Sequence, residues 1–146
     1  MYILIFLAVI IFDQISKLWA VLYLKQIHTL PLIQNVLHLT YVENTGAAFG
    51  IFHNRQLFLI SVSILFLTGI AAYVIYRKPT DRFFLLALTL VSSGAFGNLI
   101  DRVRLSYVVD FIDFRAINFA VFNLADSAVV IGVILLIVIQ IFTKKQ

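Results

Sequence analysis

The sequence predicts an integral membrane protein of the all-α class: a bundle of four transmembrane helices with a small extracytoplasmic β-sheet. Three observations carry that prediction. Of 146 residues, 62% are hydrophobic and only 12% are charged, whereas soluble domains carry about 25% charged residues. Mean hydropathy is +1.04, so a surface facing water would be covered by apolar patches. The apolar residues also gather into four runs, each close to the roughly 20 residues that a membrane-crossing helix needs.

By length the chain is a single membrane domain over residues 1–146. The first span covers about 2–23 and is interrupted by Asp13 and Lys17. Those two lie four apart, so they share a helix face and can pair within the bundle. A head-group contact is the second reading. The run has no basic n-region and no small-x-small exit before Asp13, which predicts a retained span, not a cleaved leader.

The loop at about 24–55 has a different texture. Pro31 breaks the run, and Val36–Val42 alternates apolar and polar residues like a strand. Asn44-Thr45-Gly46 supplies a tight bend, because Asn and Gly tolerate positive φ, and Ala47-Ala48-Phe49-Gly50 leads onward. A small sheet resting on the membrane surface is expected here. The second and third spans cover about 56–76 and 83–100, joined by Arg77-Lys78-Pro79-Thr80-Asp81-Arg82. Small residues at Ser93 and Gly97, one turn apart, let another helix come close; packing is the reading for the glycines. The second loop covers about 101–126 and the fourth span about 127–142, followed by Thr143-Lys144-Lys145-Gln146.

Four spans put both termini and the short link on one side. Lys and Arg are dense in the link and tail and scattered through the long loops. Since cations near span ends in short segments set orientation, both ends are expected in the cytoplasm and both long loops outside. The net charge of +4 has the same explanation, and nucleic acid is not an expected partner. The chain has no cysteine, which excludes disulfides, thiol nucleophiles and Cys-ligated metals. His28, His38 and His53 show no metal-ligand spacing; neither a metal nor a cofactor is expected.

Four of the seven acids, Asp101, Asp110, Asp113 and Asp126, fall between residues 98 and 127. A charge costs ~2.5–3.5 kcal/mol at the centre of a membrane helix, so their gathering needs a reason. Asn98, Asp101 and Arg102 share a helix face at the outer end of span three. Asp101 reads as a collar with Arg102 that ends the helix, while Asn98 and Arg102 read as donors aimed at one mouth. Val108–Phe114 alternates like a half-buried strand or extends span three. Within it Asp110 sits among Val, Val, Phe and Ile, where burial raises a carboxyl pKa, and Asp113 reads as a solvated or Arg115-paired acid. At span four, Asn123 as cap and Asp126 three residues later stabilise a helix start without any chemistry. Location tips the balance: Asp110 and Asp126 are both expected at the outer face, at the ends of adjacent elements. If the site hydrolyses, two aspartates sharing a proton are the simplest machinery present, with Asp126 favoured as the charged member. Two other classes remain open at this point. One is a small transporter, whose carboxylates would lie near the midplane; the other is an assembly subunit locked by polar contacts.

Five motifs together resemble bacterial lipoprotein signal peptidase, signal peptidase II. They are Asp13-Gln-Ile-Ser-Lys17, Asn44-Thr-Gly-Ala-Ala-Phe49, Gly94-Ala-Phe-Gly-Asn98-Leu-Ile-Asp-Arg102, Val108-Val-Asp110-Phe-Ile-Asp113 and Phe122-Asn123-Leu-Ala-Asp126-Ser127. They run in order over nearly the whole chain. Ser93-Gly94-Ala95-Phe96 departs from the common Gly-Gly-Ala-Leu, away from either aspartate. The resemblance implies a four-helix inner-membrane aspartic peptidase with a small outer sheet and a loop helix. It would remove the signal peptide of prolipoproteins before a diacylglyceryl-modified cysteine. Asp110 and Asp126 take the dyad positions by that resemblance. Asn44, Gly46, Asn98, Arg102 and Asn123 match residues lining the site, and Asp13 and Lys17 match a polar pair of the first helix. The partners implied are the lipidated substrate and membrane lipid, with the enzyme acting as a monomer.

Overall fold

The computed structural model describes residues 1–47 and 51–143. The expected lead-in at Ala48, Phe49 and Gly50 and the tail cations Lys144 and Lys145 lie outside the described residues. Four helices are long and apolar enough to cross a membrane: α1 (Tyr2–Ile27), α2 (Gln56–Arg77), α3 (Arg82–Leu105) and α4 (Leu124–Thr143). Between them stand β1 (Thr29–Ile33), β2 (Leu37–Asn44) and β3 (Val108–Phe114), forming one antiparallel sheet in that order.

Each helix begins and ends where its sequence has a reason to. The first helix runs past the expected boundary at residue 23 through a π turn at Ala20–Leu24 and stops at His28, which takes φ 61°. Helix α2 closes on Lys78 in the left-handed region, just before Pro79. Asp81 caps α3, its Oδ1 accepting from the Phe84 N–H at 2.6 Å. That helix continues five residues beyond the expected end at residue 100, so Asp101 and Arg102 are helical. Helix α4 starts at Leu124, three residues earlier than expected.

Packing follows the small residues. Helix α3 is the hub: it packs most extensively on α4, then on α1, and less on α2. At Gly94 an added Cβ would lie 2.2 Å from the Ala125 carbonyl oxygen, and at Gly97 one would lie 2.7 Å from Asp13 Oδ2. Both glycines are therefore what lets α3 touch the start of α4 and the polar face of α1, as the packing reading required.

The sheet seats on the C-terminal end of α1. Ala20 and Leu24 of the π turn pack against Val109 and Phe111 of β3, with Leu39 and Tyr41 alongside. Strand alternation then fixes the rest: if Val109 and Phe111 face α1, Val108 and Asp110 face the other way. Pro31, which breaks the apolar run in the sequence, is part of the sheet. It sits within β1 opposite His38, tolerated because β1 is an edge strand. The loop helical element among the described residues of the second loop is one 3₁₀ turn, Arg115–Ile117. Beyond it, Phe122 exchanges backbone hydrogen bonds with Ile112 and returns the chain to β3 just before α4 begins.

Candidate active site

A cavity of about 740 Å³ opens between the sheet, the C-terminal half of α3 and the first turns of α4. Asp110 enters it from β3, Asp126 from α4, Asn44 from β2, and Asn98 and Arg102 from α3. Its other wall is apolar, built from Phe119 to Phe122 and from Val129, Val130 and Ile131 on α4.

Asn123 joins the two carboxylates. Its Nδ2 donates to Asp110 Oδ1 at 2.7 Å. Its Oδ1 accepts from the Asp126 N–H at 2.8 Å, while its own N–H donates to Asp126 Oδ2 at 3.2 Å. This is a reciprocal capping box, so the helix-start reading of Asn123 and Asp126 holds. The same box aims Asp126 into the cavity; structure and site are one arrangement here. Asn98 completes the cradle, with Nδ2 donating to Asp126 Oδ1 at 2.7 Å and Oδ1 accepting from Asn123 Nδ2 at 3.1 Å.

On the other carboxylate, Asn44 Nδ2 donates to Asp110 Oδ2 at 2.9 Å. Asn44 is held in turn by the Gly46 N–H, 3.0 Å from its Oδ1, the bend expected at this Asn-Thr-Gly. Asp110 is 1% exposed. Burial, and next the charge of Asp126, push its pKa from 3.8 up to about 7, although Asn44, Asn123 and Lys17 pull the other way. Burial thus favours the protonated form of the Asp110 carboxyl.

Arg102 is half-buried and donates from Nη2 to the Gly46 carbonyl at 3.0 Å, leaving a buried Nε with no partner among the described residues. Gly46 and Asn123 stand directly behind the cavity wall. Asp13 and Lys17 stand further back: they are buried and pair with each other at 2.9 Å. Asp101 differs from its sequence reading. It does not collar the helix with Arg102 but turns inward to Lys17, at 3.0 Å. Asp113 pairs with Arg115 at 2.8 Å, as expected, on the far part of β3. Sequence reasoning did not single out Gln14, which bonds Asp13, Asp101 and the Gly97 carbonyl. Its signal was its place inside the Asp13–Lys17 motif. Glu43, Thr45 and His53 also line the cavity; Thr45 belongs to the Asn44–Phe49 motif, and nothing in their spacing marked the other two.

Fold and site together define a polytopic membrane protein with two hydrogen-bonded carboxylates in one pocket and no cysteine to serve as a nucleophile. Comparison with known proteins narrows the class. The model of the family described as signal peptidase (SPase) II matches residues 5–142. A lipoprotein signal peptidase of Clostridioides difficile (strain 630) is 47% identical over 146 residues, covering 100% of this chain and 98% of its own. One from Caldanaerobacter subterraneus subsp. tengcongensis is 47% identical over 135 residues, with 92% and 91% covered. A solved structure described as a bacterial membrane enzyme, determined in meso at 2.3 Å, superposes with a TM-score of 0.90. It shares 36% identity and covers 98% of this chain and 88% of its own. A second such structure, at 1.9 Å, gives a TM-score of 0.86 at 37% identity. The chain belongs to the signal peptidase II family. It is accordingly an aspartic endopeptidase, a multi-pass protein of the inner membrane.

Proposed function

We propose that Asp110 and Asp126 are the catalytic dyad, and that the enzyme removes the signal peptide of diacylglyceryl-modified prolipoproteins on the N-terminal side of the lipidated cysteine. The observation that carries this is the shared cavity: two carboxylates from separate elements face one space, each held by asparagine donors. Asp126, supported by the positive end of α4, is the carboxylate that takes a proton from the attacking water. Asp110 gives its proton to the scissile carbonyl oxygen as the water oxygen bonds to carbon. Collapse of that tetrahedral centre returns a hydroxyl proton to Asp110 as the C=O re-forms and the C–N bond breaks, and the leaving nitrogen takes the proton held by Asp126. No metal or other cofactor enters the sequence of steps.

The surroundings fit the substrate. The free Nε of Arg102 is a donor for a peptide carbonyl or the lipid ester, with Asn44, Gly46, Asn98 and Asn123 shaping the polar end. The wall from Phe119 to Ile131 suits acyl chains. A lipid anchor confines the scissile bond to the interface and orients it, which removes much of the entropic barrier. In this reading both termini are cytoplasmic, the sheet and cavity lie at the extracytoplasmic face, and the enzyme works as a single-domain monomer.

The test is incubation of purified protein with lipidated and unlipidated precursor, scoring leader release. Only the lipidated precursor is expected to be cut, and D110N and D126N are each expected to stop cleavage in folded protein. Continued processing by both variants would overturn the dyad. Because the chain has no cysteine, single cysteines at Thr80 and Asn118 report orientation: an impermeant thiol reagent added outside should label only the second.

A further inference from the structure

Two peptide N–H groups in the site are held by carboxylates from other elements, and each stands one residue before a dyad aspartate. Ala125, before Asp126, donates to Asp13 Oδ1 at 2.9 Å. Val109, before Asp110, donates to Asp101 Oδ2 at 3.1 Å. The two carboxylates come from α1 and α3, and Lys17 joins them, its Nζ 2.9 Å from Asp13 Oδ2 and 3.0 Å from Asp101 Oδ2. Gln14 Nε2 bonds the same pair, at 3.2 and 3.0 Å. Lys17 also donates to Asn98 Oδ1 at 2.9 Å, which leaves the Asn98 amide nitrogen facing Asp126.

We propose that Asp13, Lys17 and Asp101 are positioning residues: a buried ion triad that sets the two dyad aspartates against each other by gripping the backbone immediately ahead of each. The inference rests on the dyad reading above. Strand β3 and helix α4 have no covalent reason to present their aspartates at a working separation, and a misplacement of about 1 Å can cost about 10²-fold in rate. A tether one residue away from each carboxylate controls that separation more directly than packing at a distance. The burial argues the same way. Asp13, Lys17 and Asp101 are at most 3% exposed, and burying ions is a poor route to stability, since well-packed apolar side chains do as well. Their placement at these two N–H groups is what apolar side chains could not reproduce. Gly97 is cut to fit, because a Cβ there would crowd the Asp13 carboxylate.

The full-length enzyme in detergent, assayed on lipidated precursor, gives the test through D13A, D101A, D13N and D101N. Rates are taken per folded molecule, with the folded fraction read by thermal unfolding. The alanine variants remove the tether and are expected to lose about 10²-fold in kcat at unchanged KM. Asparagine keeps an acceptor for the peptide N–H but turns an NH₂ toward Lys17, so a partial recovery is expected, to a kcat about three- to tenfold below the parent, in line with the smaller displacement. Wild-type kcat in folded D13A and D101A overturns the proposal, as does a loss accounted for wholly by unfolded protein. If the alanine variants do not fold, wild-type kcat in both asparagine variants overturns it. D110N and D126N run alongside: cleavage by these two sinks the dyad reading itself, whereas their silence beside fully active triad variants sinks only the triad.

Discussion

Helices α2 and α3 are consecutive, similar in length and both apolar, yet they do opposite jobs. Helix α2 has the higher mean hydropathy, 2.4 against 1.8, and only 6% of its most apolar stretch is buried in the protein, against 39% for α3. In water the greasier helix would be the core. In a bilayer lipid tails are as apolar as leucine, so hydrophobicity gives no drive for one helix to seek another. What selects the hub is the small and polar content: Gly94, Gly97, Asn98 and Asp101 on α3 all sit at contacts with α1, α4 or the site. The serines of α2 bond only their own helix, Ser61 to the Leu57 carbonyl and Ser63 to that of Leu59.

Substitutions on the two helices should separate accordingly, and the largest gap is expected in activity. Asn98→Leu on α3 removes a donor from Asp126 and an acceptor from Lys17 and Asn123. Cleavage by folded protein should fall at least about 10²-fold, the scale of a lost acid–base contribution. Ser61→Ala on α2 should leave cleavage and stability within about 0.5 kcal/mol of the parent. A next, smaller gap is expected in stability. Gly94→Ala forces a methyl against the Ala125 carbonyl and Val129 and should cost about 1–3 kcal/mol in thermal unfolding. Gly69→Ala on α2 meets nothing within 4 Å and should be neutral or stabilising by up to about 1 kcal/mol. Equal losses from the two alanines would mean that α3 is not the hub.

The same contrast explains what the sequence could and could not reveal. Runs of apolar residues announce helices whatever they touch, so the four-helix class was legible, as were the Val36–Val42 strand pattern and the capping box at Asn123 and Asp126. Helix ends were less so. Nothing in Ala20–Leu24 marks a π turn, and the expected end of the third span at residue 100 fell short of the helical turns that Asp101 and Arg102 share with Asn98, because charge usually ends a span. Pairing between helices was the least legible. Asp101 neighbours Arg102 in sequence but answers Lys17, 84 positions away, and only the packing of α1 on α3 at Gly97 brings them together. Asn123 likewise looked like a cap and is also the bridge between two carboxylates.

A finer form of the comparison lies within β3, where two aspartates three residues apart should respond to pH with opposite sign. Burial and Asp126 hold Asp110 up at about 7 from 3.8. Its contribution to stability is therefore full below 3.8 and is lost as pH rises through about 7. Cleavage should fall over the upper part of that range too, as the dyad gives up the proton it shares. Asp110→Asn should flatten the stability decline. For Asp113, burial pushes up, but the Arg115 and Thr40 hydrogen bonds outweigh it and hold the carboxyl below 3.8. Its contribution is present above 3.8 and lost as pH falls further. Asp113→Asn is accordingly the mildest change of the set. Arg115 is exposed, so the lost pair should cost under about 1 kcal/mol, felt at pH above 3.8, with cleavage unchanged. Unfolding scans from pH 3 to 8 read both slopes in one experiment. A common sign for the two aspartates, or a loss of cleavage in Asp113→Asn, would mean that β3 does not divide into a reacting end and a merely paired one.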